Sequence, residues 1–286
     1  MSFIEDIQTY EFLQKALFTS VIVGIIAGAI GSFIILRGMS LMGDAISHAV
    51  LPGVALSYMW GINYFYGAVA FGLMTAFGIG FITQNSRIKN DTSIGIVFSA
   101  FFAVGIILIG KANTSTDLTS ILFGNVLAVR DTDMWMTLGI GAFVLLIIAL
   151  FYKEFLVSTF DPTLAASYGL SNKMIHYVLM VLLTLVTVAS LRTVGVILVV
   201  AMLITPAATA YLLTNRLFYM ICISSVLGAV SAVVGLYISF VYNWPSGAAI
   251  VLVTTAFFVL ALLFSPKHGI VWRSVRMRKH KSTVEQ

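Results

Sequence analysis

Residues 41–53 read LMGDAISHAVLPG, a short polar stretch between two long apolar runs. The stretch carries a carboxylate, Asp44, and an imidazole, His48, four residues apart. Side chains at positions i and i+4 lie on one face of an α-helix, where a single ion can contact both. Ionisable side chains at bilayer depth are costly, and they usually face the interior of a helix bundle or a water-filled path. The stretch therefore predicts a functional site inside a membrane protein.

The composition is that of a polytopic membrane protein. Of the 286 residues, 60% are hydrophobic and only 9% are charged, whereas a soluble domain carries about 25% charged residues. The first residues, MSFIEDIQTY, lack the basic region and the cleavage site of a signal peptide, so we expect none to be removed. The single cysteine, Cys222, excludes an internal disulfide and a metal site built from several thiolates.

The net charge of +5 lies largely in the C-terminal tail, where residues 273–281 read RSVRMRKHK. Next to a membrane helix, a basic tail of this kind usually meets anionic lipid headgroups. We therefore expect the tail to contact the lipid bilayer, and we expect no nucleic-acid partner.

The apolar runs predict the number of membrane crossings. A transmembrane helix needs about 20 mostly apolar residues. Such runs cover residues 14–36, 39–60, 64–83, 92–110, 134–152, 174–191, 194–213, 219–241 and 246–264. If one run is re-entrant, the count falls from nine to eight. We expect an all-α membrane helix bundle over residues 1–266, with a basic cytoplasmic tail at 267–286.

The distribution of basic residues predicts the orientation. Short cytoplasmic loops carry an excess of Lys and Arg. The basic residues of alternate loops are Arg37, Arg87, Lys89, Lys153 and Arg216, and the basic tail follows the last run. The acidic start lies on the opposite side, so we expect the N-terminus outside and the C-terminus in the cytoplasm. Arg192 is the residue that falls on the wrong side of this assignment.

A polar segment, STFDPTLAASYGL at 158–170, is too polar to span a membrane. Asp161 followed by Pro162 predicts the start of a short helix, because proline suits the first helical position. Gly169 predicts its end as a C-cap glycine. The spacing alone leaves two interpretations open: a docking helix for a soluble partner, or a plain interfacial helix.

The Asp44–His48 pair has two interpretations of its own. It can be a neutral hydrogen-bonded pair that ties two helices, or a pair of metal ligands. Pro52 and Gly53 follow within about a turn and favour the second, since proline frees a backbone carbonyl and glycine lets a helix bend. Two ligands are too few for a transition metal, but a two-fold dimer brings two copies of each to one axis. Carboxylate and imidazole without thiolate suit Mn²⁺, Fe²⁺ or Zn²⁺.

An ATP site is not expected in this chain. Residues 105–112, GIILIGKA, match GxxxxGK, but Ala112 stands where the motif needs Ser or Thr and no strand precedes it. HExxH and GxSxG are both absent from the sequence, so intramembrane hydrolysis lacks its usual residues.

Three motifs resemble those of the permease subunits of manganese/zinc/iron ABC importers, the ABC-3 type metal permeases. They are RGMSLMGDAISHAVLPGVALSY at 37–58, the FDP…YGL segment at 160–170, and VGVILVVAMLITPAATAYL at 194–212. The resemblance covers residues 12–268, and GDAISHAVLPG is most similar to the manganese-type members.

The resemblance implies a homodimeric pore in a bacterial plasma membrane, with a cytoplasmic ATPase subunit on each copy and an extracellular metal-binding protein that delivers the ion. Asp44 and His48 match the family's metal-contacting pair. The coupling residues carried over are Phe160, Asp161, Pro162, Ala165 and Gly169. Pro206 matches a broken helix beside the path. No permanently bound cofactor is implied, and Mn²⁺, or Zn²⁺ or Fe²⁺, is the transported substrate.

Two other classes compete with an importer subunit. An ion-coupled secondary transporter would use Asp44 and His48 as a proton relay, but it predicts inverted repeats that the sequence does not show. A metal-dependent membrane enzyme lacks a third buried ligand and an obvious base in one chain. We therefore expect a translocation subunit rather than an enzyme, with ATP hydrolysis in a separate chain.

Overall fold

The computed structural model describes residues 9–111 and 126–265, and every regular element in these ranges is helical. The α-helices are α1 (Glu11–Leu36), α2 (Met42–Ala49), α3 (Leu51–Met59), α4 (Tyr64–Asn85), α5 (Asn90–Lys111), α6 (Asp131–Leu150), α7 (Tyr152–Phe160), α8 (Pro162–Ser167), α9 (Asn172–Val194), α10 (Val196–Leu213), α11 (Leu217–Tyr242) and α12 (Ser246–Phe264). A short 3₁₀ turn covers Val126–Ala128. The predicted basic tail at 267–286 lies outside the described residues.

Eight helices of the described ranges are long and apolar enough to cross a membrane: α1, α4, α5, α6, α9, α10, α11 and α12. The run predicted at 39–60 is present as two consecutive short helices, α2 and α3, which meet at Val50. Pro52 has no N–H to donate to the carbonyl of His48, which weakens the helix at this point. The predicted all-α membrane bundle is confirmed: eight of the nine predicted runs are spanning helices, and the run at 39–60 is the pair α2 and α3.

Polar contacts identify the two ends of the bundle. At the Arg192 end, two ion pairs meet at the start of α6. Lys15 at the start of α1 pairs with Asp131, and Arg192 at the end of α9 pairs with Asp133. At the Arg37 end, the end of α1 meets the end of α7. Ser265 donates a hydrogen bond to the carbonyl of Leu212, at the end of α10. Glu11 and Ser265 therefore lie at opposite ends of the bundle.

Helix α1 is the central element and packs against α10, α11 and α6. Gly24 of α1 faces Gly228 of α11, and a Cβ on either glycine would collide with the backbone of the other helix. One turn away, Ser224 Oγ donates a 2.7 Å hydrogen bond to the carbonyl of Gly28. Small residues bring the backbones together because lipid supplies little hydrophobic force between helices.

The chain reverses between α9 and α10 at a single residue, Gly195, whose φ of 81° is accessible mainly to glycine. The resemblance placed a broken helix at Pro206. In the structure α10 is helical on both sides of Pro206, and the reversal of the chain falls at Gly195. Neighbouring helices bury Pro206 and Ala207, and this packing supports a helix that has lost one hydrogen bond.

Candidate metal site

Asp44 and His48 lie on one face of α2, as their spacing predicts. His48 Nε2 is 3.5 Å from Asp44 Oδ1, and the two side chains are 29% and 45% exposed. This separation exceeds the range of about 2.7–3.2 Å that good hydrogen bonds occupy. Both groups belong to the same helix, so the pair does not tie two helices together. Their polar atoms therefore stay available to a third group.

Two aromatic rings hold the imidazole in place. The rings of Phe98 and Phe102, one turn apart on α5, each meet His48 edge-on with centroids 5.8 Å away. His48 Nδ1 is buried and has no hydrogen-bond partner among the described residues. Nε2 is the nitrogen beside Asp44. The ring is therefore positioned by packing, and it presents Nε2 together with the carboxylate.

The pair opens into a cavity of about 380 Å³. The other lining residues come from one face of α10 and from α12: Val196, Ile197, Val200, Ala201, Ile204, Thr205 and Val251. Apart from Thr205, these side chains are apolar and offer no ligand atom. Ile197 is 53% exposed at the edge of the cavity. The resemblance placed the helix of motif 194–212 beside the path, and in the structure α10 lines the cavity opposite Asp44 and His48.

The site within one chain is incomplete as a metal centre. Across residues 9–111 and 126–265, no group of three or more His, Cys, Asp or Glu side chains is placed to hold an ion. A transition metal prefers four or more ligands. The sequence predicts that Asp44 and His48 supply two ligands from each of two copies, and this remains a prediction.

The two residues predicted to soften the helix have different roles in the structure. Pro52 lies where α2 gives way to α3, one turn after His48. Gly53 instead serves close packing, because a Cβ there would collide with the carbonyl of Gly67 on α4. Gly53 therefore allows α3 and α4 to pack closely at this point.

Arg192, which the orientation placed on the wrong side, is paired with a carboxylate. Its Nη2 lies 3.2 Å from Asp133 Oδ1, and the Asp133 side chain is only 10% exposed. Its Nη1 donates a 3.5 Å hydrogen bond to Asn63, in the loop between α3 and α4. The sequence held a signal for this pairing, because the predicted orientation puts Asp131 and Asp133 on the same side of the membrane as Arg192.

The predicted coupling segment forms a capped helix, α8. Asp161 Oδ1 accepts a 2.9 Å hydrogen bond from the backbone N–H of Leu164, and Pro162 occupies the first turn. At the other end, Gly169 has a φ of 78°, and Leu170 N–H donates to the carbonyl of Ala165. These contacts are those of an N-cap and a Schellman C-cap.

The side chains of this segment point in two directions. Phe160, Leu164 and Tyr168 are exposed, and Tyr168 is 73% accessible. Ala165, by contrast, is fully buried against the bundle. The exposed surface at α8 therefore carries Leu164 and the flanking rings of Phe160 and Tyr168, and Ala165 holds the helix to the rest of the protein.

Comparisons with known proteins show the family of the chain. The profile of the ABC 3 transport family matches residues 9–265. The manganese transport system membrane protein MntC of Listeria monocytogenes is 67% identical over 276 residues, which cover 96% of this chain and 99% of that protein. The manganese import system permease protein ScaB of Streptococcus parasanguinis is 57% identical over 265 residues, covering 93% and 95%.

A solved structure, PsaBC from Streptococcus pneumoniae in complex with Fab, aligns with a TM-score of 0.85 and 55% identity. The alignment covers 96% of this chain and 98% of the matched chain. The family indicated by the three sequence motifs is thereby confirmed. The chain belongs to the ABC 3 transport family, as a multi-pass permease subunit of the bacterial plasma membrane rather than an enzyme.

Proposed function

We propose that this chain is the membrane-spanning subunit of an ATP-driven importer of Mn²⁺, and that Asp44 and His48 bind the ion on its way through the membrane. Zn²⁺ and Fe²⁺ are the nearest alternative substrates, because the same ligand chemistry suits them. Two relatives that share more than half of the sequence are named for manganese transport. The carboxylate of Asp44 supplies the oxygen ligand that Mn²⁺ favours.

The observation that carries the proposal is that both side chains face the same cavity. The cavity lies beside membrane-spanning helices, where an unpaired carboxylate is costly. Its other walls are almost entirely apolar, so an entering ion finds its protein ligands at Asp44 and His48. These two groups replace part of the hydration shell that the ion loses in the path.

A second copy of the chain completes the ligand set. The cavity is bordered by apolar side chains of α10, of which Ile197 is exposed and Val200 is partly buried. Two chains related by a two-fold axis through this cavity would place two carboxylates and two imidazoles around one ion. We therefore propose a homodimer in which the path and the metal site lie on the axis.

The Arg37 end of the bundle faces the cytoplasm in this proposal, and the N-terminus lies outside. Arg37, Arg87, Lys89, Lys153 and Arg216 all belong to loops or helix ends on that side, as the excess of basic residues in cytoplasmic loops requires. A cytoplasmic ATPase subunit docks on the exposed face of α8. An extracellular metal-binding protein delivers the ion at the Arg192 end.

Uptake by the complete complex tests the metal site. The chain is reconstituted with its ATPase subunit in proteoliposomes, and Mn²⁺ uptake is measured with the metal-loaded delivery protein outside. Asp44→Asn removes the carboxylate and His48→Ala removes the imidazole. In a homodimer each substitution is present in both copies, so each removes two ligands. Each removal should lower the uptake rate by at least about a hundredfold, since changes at metal ligands and their supports cost about 10–100-fold even one shell further out.

The matched control is Asp91→Asn, which neutralises an exposed carboxylate in the first turn of α5. This variant should transport at the rate of the unmodified protein. Assembly of each variant is checked by co-purification of the ATPase subunit. Unchanged uptake in Asp44→Asn and His48→Ala would remove the pair from the path.

A further inference from the structure

We propose that Arg37 is a positioning residue that links the coupling helix α8 to helix α2, which carries Asp44 and His48. The inference rests on the proposed function, because it assigns a transport role to both helices. Arg37 lies directly after α1 and before the turn that leads into α2. Its side chain is hydrogen-bonded to the end of α7, and the carbonyl of the next residue, Gly38, is hydrogen-bonded to the start of α5.

A chain of side-chain hydrogen bonds runs from Arg37 to the coupling helix. Arg37 Nη2 donates to Ser158 Oγ at 2.9 Å, and Ser158 Oγ donates to Asn172 Oδ1 at 3.0 Å. Asn172 Nδ2 then donates to the carbonyl of Pro162, the first residue of α8, at 2.7 Å. Arg37 Nε makes a second bond to Thr159 Oγ1 at 3.1 Å. Hydrogen bonds weaken steeply when their distance or angle changes, so a displacement of α8 changes the position that the guanidinium prefers.

A second set of contacts leads from Arg37 towards the metal site. The next residue, Gly38, has a φ of 65°, and its carbonyl accepts a hydrogen bond from Asn90 Nδ2 at 3.4 Å. Asn90 is the first residue of α5. Phe98 and Phe102 on the same helix meet the ring of His48. The Arg37–Gly38 turn is therefore hydrogen-bonded to α5, whose rings pack on the imidazole, and it precedes α2, which carries the imidazole, by only a few residues.

The guanidinium suits this place for electrostatic and geometric reasons. Arg37 is half-buried, and desolvation lowers its pKa to about 10, so the side chain remains cationic at neutral pH. In the described ranges its side chain donates to two hydroxyl groups, and no carboxylate lies within ion-pair distance. Arginine makes the two bonds from two nitrogens of one rigid plane, whereas the donors of lysine all lie on a single rotating ammonium group.

The experiment measures Mn²⁺ transported per ATP hydrolysed, in proteoliposomes that contain the complete complex with metal-loaded delivery protein outside. Arg37→Met keeps an unbranched apolar stem and removes the charge and the hydrogen bonds of the guanidinium. We expect the ATPase subunit to remain bound and ATP hydrolysis to continue, while the ratio of Mn²⁺ to ATP falls about tenfold, the size of effect that losing a charge-assisted hydrogen bond produces. Arg37→Lys should restore part of this ratio.

Ser158→Ala provides a second variant that breaks the same chain of bonds without altering a charge. It should lower the ratio of Mn²⁺ to ATP, and the double variant Arg37→Met with Ser158→Ala should be no worse than Arg37→Met alone, because both changes interrupt one path. If Arg37→Met fails to assemble, Arg37→Lys and Ser158→Ala still report on the link. The matched control is Arg87→Met, an exposed arginine of the α4–α5 loop, which should leave the ratio unchanged.

The outcomes separate this inference from the proposed function. If the unmodified complex imports Mn²⁺ and Asp44→Asn abolishes import, the proposed function holds. An unchanged ratio in Arg37→Met, or in both Arg37→Lys and Ser158→Ala, then overturns the link alone. A proportional fall of ATP hydrolysis and uptake in these variants also contradicts it, because a purely structural defect lowers both together. Absence of ATP-dependent uptake by the unmodified complex would instead refute the proposed function.

Discussion

At the scale of single residues, the proposed metal ligands Asp44 and His48 suit an ion that passes better than one that stays. Their nearest polar atoms are 3.5 Å apart, and both side chains retain substantial exposure to the cavity. Resident metal sites are enclosed by ligands, and the second nitrogen of each histidine usually has a hydrogen-bond partner. Here His48 Nδ1 has none among the described residues. Such a site holds an ion weakly, and an ion must leave a path as well as enter it.

Zn²⁺ should slow transport through the proposed site. Zn²⁺ binds nitrogen and oxygen ligands more tightly than Mn²⁺ does, so two imidazoles and two carboxylates hold it longer. We expect zinc-loaded delivery protein to inhibit Mn²⁺ uptake by the reconstituted complex, and zinc itself to be transported at least about tenfold more slowly, the factor produced by about 1.4 kcal/mol of tighter binding. Uptake of both metals is measured while the zinc-loaded protein is titrated. Zinc transport at the manganese rate would contradict this explanation.

Helix α8 shows how a six-residue element is kept ordered on a surface. A helix this short is not stable by itself, because nucleation is costly. Asp161 caps its first turn, Gly169 closes its last, and buried Ala165 attaches it to the bundle. The exposed side chains of Phe160, Leu164 and Tyr168 are thus held in a fixed arrangement. A fixed arrangement lowers the entropy lost when a partner binds.

Loss of the cap at Asp161 should weaken attachment of the ATPase subunit. Asp161→Ala removes the acceptor for the Leu164 N–H and costs α8 about 1 kcal/mol. If docking requires the ordered helix, affinity for the ATPase subunit falls about fivefold, by the usual relation between free energy and affinity. The amount of ATPase that co-purifies in detergent, measured over a dilution series, gives this change.

Asp161→Asn is the matched control, because the asparagine oxygen caps a helix as well as aspartate does. It should retain the ATPase at the level of the unmodified protein. If Asp161→Ala retains it equally well, the docking surface lies elsewhere or does not need the cap.

The whole molecule presents the proposed metal site at an edge rather than at its centre. Helix α1 occupies the interior of the bundle, while Asp44, His48 and the facing side of α10 border an open cavity. A transport path that lay within one chain would be enclosed by its own helices. The observed position is the one expected if two copies face each other across the path.

Cross-linking tests the proposed two-fold axis. In a Cys222→Ala background, Ile197→Cys places a thiol at the exposed edge of the cavity. Two such cysteines should form an intermolecular disulfide under mild oxidation in the membrane, seen as a dimer band on a non-reducing gel. Phe143→Cys, an exposed position on α6, is the control and should remain monomeric on the same gel. Efficient cross-linking at Phe143→Cys but not at Ile197→Cys would place the interface on the opposite face.

The sequence by itself determined the properties that depend on local pattern. Apolar runs of spanning length predicted the helices, because a chain in lipid must satisfy its backbone hydrogen bonds within each segment. The Asp161–Pro162 and Gly169 signals predicted α8, because capping needs only neighbouring residues. The spacing of Asp44 and His48 placed them on one helical face for the same reason. The three motifs, read together, predicted the family.

Only the tertiary structure decided which distant residues meet. Arg37 and Ser158 belong to different predicted loops, and no local pattern indicates their hydrogen bond. The packing of Phe98 against His48 depends on how α5 lies against α2. The break at Gly195 and the continuity of α10 through Pro206 likewise depend on neighbouring helices, because these pack around both irregular stretches of backbone. Contacts between segments far apart in the chain follow from the packing of whole helices, and a linear pattern does not encode that packing.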